Sequence, residues 1–161
     1  MPGPVDALCL RCGLCCNGVL FADVRPEPGD HSILFSTHGR RVAQPCPAFK
    51  SADCTCTIYA GRPTRCRQFE CKQLLAVRAG DKSVEAALFR IREARRLVKE
   101  IERMLAALGF EEKDLPLRKR FQRCQKSAEQ GKIRRDDLGR LAELQLAVHR
   151  LNALLAEHFY A

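Results

Sequence analysis

The sequence predicts a mostly α protein in which an irregular, Cys-rich metal-binding domain packs on a C-terminal helical hairpin or three-helix bundle. Three observations carry this. Four cysteines fall within the eight residues Cys9–Cys16, and five more follow at Cys46, Cys54, Cys56, Cys66 and Cys71. Up to Leu74 the chain is rich in Cys, Pro and Gly and poor in periodic apolar sequence. Beyond it Leu, Ala, Glu, Arg and Lys dominate, and apolar residues recur every three or four positions. The expected domains are residues 1–80 and 81–161.

Core packing does not explain so many thiols in so short a stretch, because Cys is a small hydrophobe that Ala or Val would replace. A segment of this composition cannot build a large core unaided, so disulfides or metals must stabilise it. The start, Met-Pro-Gly-Pro-Val-Asp, has no basic n-region and no apolar h-region of a secretory signal. No segment approaches the length of a membrane span. A cytoplasmic location is expected, where thiols stay reduced, and metal ligation is favoured over a disulfide framework.

Residues 1–8 read as a short lead and Cys9–Cys16 as a first ligand loop, in which Gly13 can take a positive φ. Residues 19–24 suggest a short extended piece, and Pro26, Pro28 and Gly29 mark a turn. Ile33-Leu34-Phe35 is a second short apolar piece. Cys46-Pro47 opens the second ligand region, and residues 50–57 read as loop. Pro63 suits the start of a short helix carrying Cys66, with Cys71 just beyond it.

From Ser83 the pattern changes. Ser83 or Asp81 can cap a long helix whose stripe is Val84, Leu88, Ile91, Ala94, Val98, Ile101, Leu105 and Leu108, ended by Gly109. Pro116 starts a shorter helix with Leu117, Phe121, Cys124 and Ala128 on one side, closed near Gly131. Cys124 on that stripe reads as a buried thiol. Asp136 can cap a third helix with stripe Leu138, Leu141, Leu144, Val148, Leu151 and Leu155, ending near Phe159. Helices with one apolar stripe each pack as a hairpin or bundle.

A thiolate cluster suits soft or borderline metals, chiefly zinc and the iron of Fe–S clusters. Cys9-x-x-Cys12-x-x-Cys15 matches the opening of bacterial ferredoxin runs, and Cys46-Pro47 echoes their closing Cys-Pro. Zinc sites more often use two separated Cys-x-x-Cys pairs. An iron–sulfur cluster or iron is therefore the first choice of cofactor and zinc the second. Adjacent side chains of extended backbone point to opposite sides, so one member of the Cys15-Cys16 doublet can serve one centre and the other a second centre or a bridging position. At least one metal is expected to take sulfurs from both cysteine groups.

The run CLRCGLCC at residues 9–16, then Cys46, then CTIYAGRPTRCRQFEC at 56–71, resembles the YkgJ-type cysteine-cluster family. Its motif is CxxCGxCC followed by CxIYxxRPxxCRxFxC. Eight cysteines and Ile58, Tyr59, Arg62, Pro63, Arg67 and Phe69 fall in place. The family is described as a zinc- or iron-chelating domain and is often called an Fe–S-cluster protein; a related domain occurs in flagellin lysine methylases. The resemblance implies that the metal ligands are Cys9, Cys12, Cys15 and Cys16 with Cys46, Cys56, Cys66 and Cys71. Cys54 and Cys124 lie outside the pattern. Arg62 and Arg67 are candidates to neutralise the thiolates or donate hydrogen bonds to sulfur. Tyr59 and Phe69 are expected to pack over the site. The resemblance implies no settled reaction.

The net charge is +9, of which residues 72–161 carry +7. Arg118-Lys119-Arg120 with Arg123, Lys126, Lys132, Arg134 and Arg135 is the densest basic run. Nucleic-acid binding would use it for phosphate contacts, yet few aromatics are interleaved and no nucleic-acid fold signature appears, so this partner is possible but not favoured. The expected role is redox, electron transfer or metal-cofactor handling with a protein partner that accepts electrons or metal, and with no membrane. Two other classes stay open. One is a zinc-stabilised interaction module whose basic helices bind a protein or nucleic acid. The other is an enzyme using the metal centre for methyl-transfer or redox chemistry, which rests on family analogy.

Overall fold

The computed structural model describes residues 3–160. The expected lead at Met1 and Pro2, and the outer ends of both expected domains, lie outside the described residues. Helix α1 spans Pro4–Cys12. Strand β1 (Asp23–Val24) pairs antiparallel with β2 (Val42–Ala43), with helix α2 (Ile33–His38) between them in sequence. Strands β3 (Phe49–Lys50) and β4 (Thr55–Cys56) form a hairpin in which Phe49 faces Cys56. A 3-10 turn at Tyr59–Gly61 leads to α3 (Thr64–Gln68) and α4 (Lys72–Ala79). Helices α5 (Val84–Ala107), α6 (Leu117–Glu129) and α7 (Leu138–His158) complete the chain, with a second 3-10 turn at Arg135–Asp137.

Helix α5 begins as its sequence dictates: the Ser83 side chain accepts a hydrogen bond from the Ala86 amide. Gly109 follows its end with φ of +86°, where a left-handed turn suits Gly. Its stripe is buried as expected from Leu88 to Leu105, and Ala87 and Leu97 widen it. The main packing is α5 against α7, where Leu141, Leu144, Leu151 and Leu155 meet the α5 stripe. Each Leu buried there is stabilised by ~2 kcal/mol of apolar transfer. Leu8, Leu14, Leu20 and Leu74 of the Cys-rich region join the same core. A small second cluster, Leu34, Val42 and Ala48, lies under the hairpin region. The architecture is thus mostly α, an irregular Cys-rich region on a helical hairpin.

The structure differs from several local expectations. The first half of the first ligand loop is helical, because α1 packs on α4 and α5 and buries Leu8. The Arg95 guanidinium of α5 donates to the Arg11 carbonyl at 2.6 Å and satisfies an orphan group at the end of α1. Ile33-Leu34-Phe35 is helical, burying only Leu34. Residues 50–57, expected as loop, carry most of the β3–β4 hairpin, which starts at Phe49. Helix α4 has no strong periodicity, and its clearest sequence signal is Gly80, which closes it in the left-handed region. The capping position of α7 is Asp137, not Asp136. The Asp137 carboxylate makes no cap bond and instead accepts from Arg134 at 2.9 Å and Arg140 at 2.8 Å. Leu138 is 52% exposed, while Ala147 takes a place in the buried stripe.

The basic run is not one free patch. Arg120 is buried and donates to the Phe110 carbonyl from two nitrogens, and Arg123 pairs with Glu112 at 2.9 Å. Among the described residues no helix is long and apolar enough to cross a membrane.

Cys124 is fully enclosed in the main core. Replacing it with Ser buries a hydroxyl in apolar surroundings, so Cys124→Ser should lower unfolding stability by ~1–2 kcal/mol. Denaturant titration of the two proteins checks this.

Candidate metal centre

The nine cysteines of the N-terminal region line one cavity of about 140 Å³, and Cys124 lies apart. Each sulfur is delivered by a different local device. Cys9 and Cys12 stand three positions apart on α1, so both project from one face. Gly13 then stops the helix with φ of +68°. The Asn17 amide donates to the Gly13 carbonyl at 3.0 Å, so the turn that follows carries Cys15 and Cys16 back across the end of α1.

Cys46 is held directly against this turn: its amide donates to the Cys16 carbonyl at 2.8 Å. Cys56 comes from the β3–β4 hairpin. Cys66 lies on α3, whose start is clamped from far away in sequence. The Asp30 carboxylate accepts from the Thr64 amide at 2.8 Å, and the Ser32 hydroxyl donates to the Gly61 carbonyl at 2.7 Å. Cys71 occupies the capping position of α4. That helix start is fixed on the end of α7, where the Lys72 amide donates to the Phe159 carbonyl and the Gln73 amide nitrogen to the His158 carbonyl at 2.6 Å.

The thiols fall into two neighbourhoods. Burial pushes the Cys12 thiol up to about 12, with Cys71 and Cys9 adding repulsion and Leu14 and Arg95 opposing it. Cys15 is raised well above its ordinary value by burial, then by Cys12, Cys16, Cys71 and Cys9. Burial also pushes Cys16 up to about 12, but the sulfurs that add to it are Cys46, Cys66 and Cys56. Cys66 rises to about 11 through burial and the repulsion of Cys46 and Cys56. Cys46 is raised by burial and by Cys56, against hydrogen bonds from the Ala48 and Phe49 backbone.

Of the two candidate arginines, Arg62 lines the cavity, and its charge favours the Cys16 and Cys66 thiolates. It stacks on the Tyr59 ring at 3.7 Å and donates to the Tyr59 carbonyl at 3.0 Å. Arg67 instead donates to the Thr64 hydroxyl at 3.1 Å within α3. Phe69 packs edge-on against Phe21, ring centres 4.6 Å apart. Tyr59, 38% exposed, sits at the rim. Arg95 is a site residue the sequence did not mark. It lies on α5 with no cysteine near it in sequence, and only the packing of α1 on α5 brings it to Cys12. Cys54 also lines the cavity, beside Gly13, with φ of +57°.

The donor set fits a thiophilic metal: sulfurs crowd a largely apolar cavity, and no disulfide forms among the described residues. Gln44, 2% exposed, lines the same cavity, and its Oε1 has no hydrogen-bond partner. As placed, no group of three or more His, Cys, Asp or Glu among the described residues could hold a metal ion. The fit is therefore one of donor chemistry and neighbourhood. A Cys side chain has one torsion with three staggered positions, and ligation requires these thiols to turn toward common points.

Residues 8–88, half of the chain, match the family model CxxCxxCC, described as "Putative zinc- or iron-chelating domain". No curated protein and no solved structure matches the chain.

Two outcomes follow from this geometry. Thiols with values near 12 are protonated at neutral pH, so each must lose its proton when it binds metal. Metal loading should release about one proton per thiol bound, and apparent affinity should rise with pH; a pH-stat during titration measures the release. A Cβ on Gly13 would lie 2.7 Å from Phe49 Cζ and would sit at a φ disfavoured for L-residues. Gly13→Ala should cost about 1–2 kcal/mol from the backbone alone and should loosen the hairpin, as read by hydrogen exchange at residues 46–56.

Proposed function

The chain belongs to the CxxCxxCC family, and on that premise we propose that it carries an iron–sulfur or polynuclear iron centre used in electron transfer or metal-cofactor handling. Metal binding itself follows from the family. The observation that carries the reading is the gathering of nine thiols from two distant stretches of chain into one apolar cavity. Crowded thiolates repel, and only a cation makes their joint ionisation favourable. The ferredoxin-like spacing at Cys9, Cys12 and Cys15, with Cys46-Pro47, favours iron over zinc.

When bound, such a centre supplies one-electron redox chemistry. The chain's own residues do the rest. The eight family-pattern cysteines ligate, and Arg62 and Arg95 offset thiolate charge. Phe21, Phe69 and the core leucines keep water from one side. Tyr59 and Arg62 stand at the rim, where a cytoplasmic protein partner that accepts electrons or metal would approach. The zinc reading is the outcome to be tested against this one.

Metal and acid-labile sulfide analysis of anaerobically purified protein decides between them. Iron with sulfide and absorbance near 400 nm supports the proposal; a colourless, zinc-containing protein overturns it. Cys16→Ser should lower metal content substantially, while Cys124→Ser should leave it unchanged. Metal removal under reducing conditions should expose the segment up to residue 75 to protease while the helical signal largely persists. Structural thiolate sites supply ~10 kcal/mol or more of folding free energy.

A further inference from the structure

We infer that the family-pattern cysteines form two separate four-sulfur centres, an inner one from Cys9, Cys12, Cys15 and Cys71 and an outer one from Cys16, Cys46, Cys56 and Cys66. Each would take one thiophilic metal ion or one iron–sulfur cluster. The inference rests on the metal-binding reading above and deepens it.

Packing divides the sulfurs first. Cys12, Cys15 and Cys71 are packed against the main helical core, and Cys9 shares a helix face with Cys12. Helix α4, which Cys71 caps, lies on α1. Cys46 and Cys56 are packed instead against the small cluster of Leu34, Val42 and Ala48. Cys16 is tied to Cys46 by the 2.8 Å backbone hydrogen bond. Cys66 enters from α3, whose start Asp30 and Ser32 clamp to the segment leading into α2, which carries Leu34 of that small cluster. The electrostatic neighbours of Cys12, Cys15 and Cys16 fall within these sets except for the Cys15–Cys16 pair itself, which joins them. Each set contains sulfurs from both the first and the second cysteine group.

The two centres differ in surroundings. The inner one faces the main core and the Arg95 guanidinium. The outer one faces Arg62 and the rim residue Tyr59, in a region tied together by two-residue strands.

The test uses the reduced, metal-free full-length chain titrated with Co²⁺. Cobalt–thiolate charge-transfer and d–d bands report tetrahedral sulfur sites. We expect about two cobalt ions per chain. Cys71→Ser should lose the inner site and keep the outer. Cys46→Ser should do the reverse. Cys12→Ser/Cys71→Ser should lose no more cobalt than Cys71→Ser alone, whereas Cys46→Ser/Cys71→Ser should lose both sites. Because a variant can fail to fold, cadmium NMR of the unaltered protein provides an independent reading. Two resonances in the all-thiolate range are expected. One cobalt per chain, one cadmium resonance, or loss of all metal on either single substitution overturns the partition and leaves the metal-binding reading standing. No thiolate-bound cobalt at all, with no iron or zinc in protein as purified, overturns the metal-binding reading itself.

Discussion

Sulfurs crowded into one cavity repel one another once ionised, and burial pushes the thiols of Cys12, Cys15, Cys16, Cys46 and Cys66 up. That constraint shapes the N-terminal half of this chain. Nine thiols line one cavity, with Arg95 near Cys12 and Arg62 near Cys16. Ionising these thiols together calls for a cation beside them. Metal binding and the gathering of these thiols are therefore one problem here.

The helical half solves the geometric side of that problem. Helix α5 is the spine: its stripe binds α7, and its flank receives α1 and α4. Arg95 uses one guanidinium for two tasks, ending α1 at the Arg11 carbonyl and standing near Cys12. The carboxyl end of α7 meets the amino end of α4, so exposed carbonyls of one helix bond the amide and side chains of the other. This junction fixes Cys71. A second clamp, from Asp30 and Ser32 to residues 61–64, fixes Cys66. The cysteines are thus positioned by hydrogen bonds between segments that are far apart in sequence.

Part of the basic charge of the C-terminal half is taken up within the fold. Arg120 is internal, and Arg123, Arg134 and Arg140 are paired. Exposed pairs of this kind add little stability each, and because the acids are already counted in the net charge of +9 the surface keeps its excess of cations. The side of the molecule with distinctive chemistry is the rim of the cysteine cavity.

The long helices were legible in the sequence because α5 and α7 carry 3.6-residue stripes, and Ser83, Gly109 and Pro116 mark ends by local backbone chemistry. The cysteine pattern likewise pointed to thiolate metal chemistry, since ligand residue types and short spacings are visible in one dimension. Helix α1 was read as loop because its stability comes from Leu8 and Arg95, contacts made across the fold. Helix α4 has no stripe of its own to read. The neighbours of each sulfur were not legible either. Cys15 and Cys16 are adjacent in the chain yet face different company, while Cys12 and Cys71 are distant in the chain yet share a neighbourhood. Ligand identity is a local property of side-chain chemistry; which ligands meet is set by the packing of α1, α4 and the hairpin around α5, and that only the tertiary structure decides.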